Sequence, residues 1–155
     1  MVAGNSDYIK NILKVKSNMD SGMFLPLQLA AAEALANPES WYDTVNKVYK
    51  ERRKTAESIM ELLRCKFSKE QTGLFVWGSI PDETGSCETF VEEILKKAHV
   101  FITPGFIFGS MGERYIRISL CAENERLKEA RERISNQLPI TPPSPRLRRT
   151  KQSPK

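Results

Sequence analysis

The stretch PGFIFGSMGERYIRISL, residues 104–120, decides how the chain folds. Four turn-forming residues, Pro104, Gly105, Gly109 and Gly112, fall within nine positions, and an alternating segment follows directly. Side chains on a strand point to opposite faces in turn, so Ile116, Ile118 and Leu120 share one face and Tyr115, Arg117 and Ser119 the other. This pattern predicts a glycine-rich loop feeding a half-buried strand. Arginine on the polar face of a strand is ordinarily a solvated surface residue. A planar, always-charged fork on a rigid strand can also bind a carboxylate bidentately. The local pattern leaves both readings open.

Elements are legible on either side of this stretch. GLFVWGSI (73–80) and HVFIT (99–103) read as strands, and SCETFVEEILKKA (86–98) between them as a helix with Phe90, Val91, Ile94 and Leu95 inward. NERLKEARERISNQL closes the region as an amphipathic helix with Leu127, Ala130, Ile134 and Leu138 on one side. The expectation is a small α+β layer, helices packed on a short sheet. Trp41, Phe75 and Trp77 stand at core spacing and read as packing residues. His99, the single histidine, begins a strand and reads as structural.

Three helices are expected before the sheet. Asn5 and Ser6 suit the start of one that runs to about Lys16, with Tyr8, Ile9, Ile12 and Leu13 on one face. A loop, SNMDSGMF, follows, and Pro26 suits the first turn of PLQLAAAEAL. Asn37 is placed to cap a third helix, with Pro38 and Glu39 favouring its positive end. Trp41, Val45, Val48, Ala56, Ile59 and Leu62 recur along it at helical spacing to about Leu63. At 1.5 Å per residue it is roughly 40 Å long. That exceeds the needs of one small core and suggests an element connecting two bodies.

Composition narrows the function classes. The 155 residues carry 24 basic and 19 acidic side chains, a net charge of +5. Residues 138–155 (LPITPPSPRLRRTKQSPK) hold five of the basic residues and no acidic one, so the rest is balanced at 19 of each sign. Five prolines in that segment oppose helix and ladder formation, and a disordered basic tail is expected there. Without an apolar run long enough to span a bilayer or a leader-like N-terminus, no membrane association is expected. Cys65, Cys87 and Cys121 are too few and too scattered for a disulfide framework or a metal site. Reduced cysteines fit a cytoplasmic location.

The opening stretch resembles the C-terminal signature of class I/II aminotransferases of the aspartate aminotransferase fold type, roughly P-G-x-x-F-G-x-x-G-x-x-y-h-R-h-s. Pro104, Gly105, Phe108, Gly109, Gly112, Tyr115, Arg117 and Ser119 match in order and spacing. KSNMDSGMFLPLQLAAAEAL (16–35) is similar to the segment after the cofactor-lysine region in diaminopimelate-type members. WYDTVNKVYKERR resembles the start of their interdomain helix, and GLFVWGSIP the first strand of their small domain. The resemblance covers about residues 1–137.

It implies an α/β architecture in which 1–36 end a large cofactor-binding domain, while 37–137 form the interdomain helix and a small domain with a short antiparallel-type sheet. It further implies pyridoxal 5'-phosphate as cofactor, amino-acid and 2-keto-acid substrates, and a homodimer. Arg117 matches the arginine that holds the substrate's α-carboxylate. Ser17 and Asn18 match a loop near the dimer interface and the partner subunit's active site, where a plain turn is the alternative. The family's cofactor lysine lies in a segment like S-x-S-K-x-x-x-M-x-G-x-R-x-G, directly before the position of Met1. Lys10, Lys14 and Lys16 lie on or beside an amphipathic helix and do not replace it. The expectation is a C-terminal portion of an aminotransferase that by itself does not transaminate and contributes no catalytic residue. The alternatives are a noncatalytic truncated domain retained for dimerisation or without a role, and a small RNA-binding sheet. The last requires K/R-G-F/Y-G/A-F-V-x-F/Y, from which GFIFG departs, and the excess charge lies outside the expected fold.

Overall fold

The computed structural model describes residues 2–138, so the expectation of a disordered tail falls almost wholly outside the described residues. The chain divides into two compact units, Met1–Val45 and Asn46–Lys155.

The first unit begins with α1 (Ser6–Met19). Asn5 caps it, its Oδ1 accepting from the Asp7 amide at 2.9 Å. The helix runs three residues beyond Lys16, so Ser17 and Asn18 form its last turn and not the expected loop. Both side chains fold back onto the Lys14 carbonyl, which accepts from Ser17 Oγ at 3.1 Å and Asn18 Nδ2 at 2.7 Å. These bonds keep both side chains on their own helix, where they share a carbonyl of its last turns. α2 (Leu25–Leu35) has Pro26 in its first turn, as expected. Neither helix contains a buried residue; Phe24, Leu25, Leu27 and Leu29 are all exposed. An all-round apolar helix such as LPLQLAAAEAL belongs inside a larger body.

α3 (Glu39–Leu62) belongs to both units, and its burial follows that division. Ala56, Ile59 and Met60 are buried, while Trp41 and Val48 are exposed. Trp41 is therefore not a core residue; its ring meets Tyr42 edge-on at 5.0 Å. Asn37 was expected to cap α3, but its Nδ2 donates to the Ala34 carbonyl at the end of α2.

The second unit is a three-stranded antiparallel sheet with helices on one face. Strands β1 (Phe75–Ser79), β2 (Thr103–Pro104) and β3 (Tyr115–Ser119) are ordered β1-β3-β2. β3 is thus central, with Arg117 opposite Trp77 on one side and Thr103 on the other. Between them lie α4 (Cys87–Ala98), capped by Ser86 Oγ on the Thr89 amide, and two short 3₁₀ turns over Gly105–Phe108 and Ser110–Gly112. α5 (Asn124–Gln137) follows β3.

Alternation sorts the sheet as the sequence requires. Val76, Ile116, Ile118 and Leu120 are buried with Ala56, Ile59 and Met60 of α3, Val91 and Ile94 of α4, and Leu127 and Ile134 of α5. Leu95 departs from expectation and is exposed on the outer side of α4. HVFIT yields only one paired residue, Thr103, which forms β2 with Pro104. His99 begins no strand: it closes α4 in the left-handed region at φ 56°, its amide donating to the Leu95 carbonyl.

Candidate functional site

β3 carries Arg117 outward from the core on the face away from the helices. Hydrogen bonding on both sides makes it the most constrained strand of the sheet. Thr103, Phe75, Trp77 and Ser119 share that face by register.

The loop before β3 turns on two glycines packed backbone to backbone. A Cβ on Gly105 would lie 2.3 Å from the Gly112 carbonyl oxygen and 2.7 Å from that of Tyr115. One on Gly112 would lie 2.1 Å from the Gly105 oxygen. Gly109 adopts φ +121°, a region that L side chains rarely enter. The three glycines of the motif therefore close a tight fold that brings Phe108 over the outer sheet face, its ring 5.3 Å from Trp77.

Phe108 and Phe75 flank Arg117. The guanidinium carbon lies 4.2 Å from the Phe108 ring centre and 4.1 Å from that of Phe75, with Trp77 at 5.9 Å. These distances permit cation–π attraction. Arg117 Nε is buried without a hydrogen-bond partner, and no acidic side chain among the described residues forms an ion pair with the guanidinium. The result is a rigidly based cation with rings beside it and no counter-ion among the described residues. An incoming planar anion such as a carboxylate meets two parallel N–H bonds in such a fork.

Two supports of this arrangement were not foreseen from sequence. Arg114 donates to the carbonyls of Pro81, Thr84 and Gly85, while its own carbonyl accepts from the Ile80 amide. It thereby ties the loop after β1 to the start of β3. Gln71 acts as a substitute strand at the free edge of β1: its Oε1 accepts from the Trp77 amide and its Nε2 donates to the Trp77 carbonyl, both at 2.8 Å. A run of interleaved loop residues gives no periodic signal for either contact. Phe75 and Trp77, expected as packing, are half-buried on the site face.

Ser17 and Asn18 belong to the first unit and have their side chains engaged on Lys14. Among the described residues no cluster of His, Cys, Asp and Glu could hold a metal ion, and no helix is long and apolar enough to cross a membrane. Cys65, Cys87 and Cys121 are unpaired.

Comparison with known proteins places this geometry. Residues 1–134 match the family described as aminotransferase class I and II. The chain is 39% identical over 135 residues to an LL-diaminopimelate aminotransferase of Maridesulfovibrio salexigens, covering 87% of this chain and 34% of that protein. With the LL-diaminopimelate aminotransferase of Aquifex aeolicus identity is 38% over 136 residues, 88% and 35% of the two chains. Among solved structures, apo-BacF from Bacillus subtilis superposes with a TM-score of 0.71 at 33% identity, covering 90% of this chain and 36% of that one. An aminotransferase from Staphylococcus aureus gives a TM-score of 0.71 at 30% identity, covering 86% and 35%. This chain spans about a third of the length of these relatives. The glycine-closed loop, the central arginine strand and the match over residues 1–134 together make the chain a member of the class I and II aminotransferases, a pyridoxal-phosphate-dependent family.

Proposed function

We propose that this chain supplies the substrate-carboxylate site of an aminotransferase that moves an amino group between an amino acid and a 2-keto acid. The observation that carries the reading is Arg117, a guanidinium without an ion-pair partner among the described residues, held on the central strand beside two aromatic rings. Substrates differing in side chain share the carboxylate, the α-carbon and its nitrogen. A fixed bidentate clamp on the carboxylate orients the Cα–H bond in the same way for all of them. Lysine would be a poorer clamp, because its ammonium is a mobile point charge without the planar fork.

The residues around Arg117 fit the substrate and not the cofactor. Phe75, Trp77, Thr103 and Phe108 include no lysine to bond the cofactor aldehyde and no cation to pair with its phosphate. These residues therefore do no chemistry on pyridoxal phosphate, and the chain alone is inactive in this reading. Residues 1–36 complete a cofactor-binding domain, which accounts for the exposed apolar side chains of α1 and α2. Their burial requires a larger body. Residues 37–137 form the interdomain helix and small domain. Ser17 and Asn18 stand toward a partner subunit of a homodimer, and the protein works in the cytoplasm on amino-acid metabolism. The LL-diaminopimelate aminotransferases it resembles make a dicarboxylic diamino acid the first substrate to try.

The test is Arg117→Leu in a protein where this segment stands with its cofactor-binding portion. Losing two charge-assisted hydrogen bonds raises KM for both amino acid and keto acid by roughly a hundredfold or more, at about 1.5 kcal/mol or more per bond, while cofactor content stays unchanged. Unchanged substrate affinity would remove the assignment. For this chain alone, added pyridoxal phosphate yields no borohydride-reducible adduct at one specific lysine.

A further inference from the structure

The rings beside Arg117 are unlike ordinary packing. A guanidinium on a strand face can satisfy itself on a neighbouring carboxylate or on backbone carbonyls, as Arg114 does three residues earlier. Among the described residues Arg117 has neither arrangement. Its guanidinium carbon is about equally close to the Phe75 and Phe108 ring centres, at 4.1 and 4.2 Å, and its Nε is buried without a partner. Stacking attracts the cation without using its N–H groups, which lie in the guanidinium plane. Two rings this close limit the space open to the guanidinium, while no hydrogen bond among the described residues consumes its N–H groups.

We infer that Phe75 and Phe108 are positioning residues that hold Arg117 in the orientation competent for a carboxylate, resting on the reading of Arg117 given above. Each ring comes from a separately anchored element. Phe75 lies on β1, two residues from the Trp77 backbone that Gln71 brackets. Phe108 ends the turn that Gly105 and Gly112 close backbone to backbone. The motif's glycines thus act on the substrate site through Phe108. Apparent affinity is the intrinsic affinity multiplied by the fraction of arginine already in the competent orientation. Losing one stacking ring lowers that fraction about two- to fivefold, the range of an exposed cation–π contact.

The experiment uses the full chain with ¹⁵N-labelled arginine. The buried Nε makes the Arg117 Nε–H proton slow to exchange and visible, and the two rings shift it upfield of the exposed Arg131 signal. Phe108→Leu keeps apolar bulk and removes the ring; Phe75→Leu does the same on the other side. Each moves the signal toward that of Arg131, whereas Phe108→Tyr retains the shift. Unchanged Ile116 and Ile118 amide signals, read on uniformly ¹⁵N-labelled samples of the same variants, establish that the strand is intact in each. Pyruvate is then titrated at constant ionic strength, with Arg117→Lys as reference. Wild type and Phe108→Tyr bind equally at Arg117, and each leucine variant binds about two- to fivefold more weakly. An unshifted Arg117 signal in wild type overturns the inference. So does equal pyruvate affinity in wild type and the leucine variants, which leaves the carboxylate reading intact. A normally shifted signal that never responds to pyruvate overturns the carboxylate reading itself, and the inference with it.

Discussion

Replacing Gly105 with alanine tests whether the glycine-closed turn holds the site. The new methyl would meet the Gly112 and Tyr115 carbonyl oxygens at 2.3 and 2.7 Å, where ordinary contact begins at 3.4 Å. Backbone on both sides must therefore retreat by about 1 Å, and no flexible side chain can absorb the overlap. A shift of that size displaces Phe108, three residues further along the turn. The cost is about 3 kcal/mol, at the upper end of overpacking effects and a large share of a typical domain's stability. Urea unfolding of the chain, with Trp41 changed to Phe so that Trp77 is the single reporter, measures it. With a slope of about 1.5 kcal/mol per M, the midpoint falls by about 2 M. Gly85→Ala is the control, since its Cβ meets nothing within 4 Å. That variant stays within about 1 kcal/mol of wild type, and the lower entropy of its unfolded chain favours a small gain. Equal midpoints for the two variants would refute the close-packed turn.

The other predictions concern supports around the site. Arg114→Met strands three carbonyls and costs about 2 kcal/mol in the same urea assay; an unchanged midpoint would show that the loop after β1 needs no such tie. Burial pushes the Cys65 thiol from its ordinary value near 9 up to about 12. The folded state therefore keeps a proton that the unfolded state loses, and this thiol's contribution to stability is complete below pH 9 and declines as pH rises toward 12. In native protein a disulfide reagent modifies exposed Cys121 and spares Cys65 until urea unfolds it; early loss of the Cys65 thiol, read by peptide mass, would contradict its burial. Ile116→Ala, at a fully buried position of β3, lowers stability by about 3 kcal/mol in thermal unfolding, and a loss under 1 kcal/mol would contradict its core placement.

Local patterns made the second unit largely legible. Alternation in YIRIS fixed which face of β3 is buried, and the 3.6-residue period placed Val91 and Ile94 of α4 and Leu127 and Ile134 of α5 inward. Errors arose where one neighbour decided between two locally equivalent outcomes. Asn37 can serve either helix it separates, and the Ala34 carbonyl claims it. HVFIT has strand composition, yet β2 pairs only at Thr103 and Pro104. Leu95 lies at the margin of the apolar stripe of α4 and falls outside it. Trp41 has helical core spacing, but the half of α3 that carries it contains no buried residue.

The site divides in the same way. The family signature brought out Arg117, and its glycines announced a tight turn. The roles of Phe75, Phe108, Gln71 and Arg114 depend on contacts between segments distant in sequence, which no single-segment pattern encodes. Arg114 illustrates the difficulty: it stands one residue before β3 and resembles any surface arginine until its three acceptors are seen.

In the proposed function, Arg117 and a substrate's α-carboxylate recognise each other. A double cycle tests it most directly, in a protein that joins this segment to its cofactor-binding portion. Arg117 is paired with Arg117→Leu, and an amino-acid substrate with the amine that lacks its carboxylate. Transition-state stabilisation is compared through kcat/KM in all four combinations. The expected result is that the carboxylate contributes strongly with Arg117 and little with leucine, a coupling of about 3 kcal/mol or roughly a hundredfold. Additive effects, with the leucine variant preferring the carboxylated substrate as strongly as wild type, would contradict it.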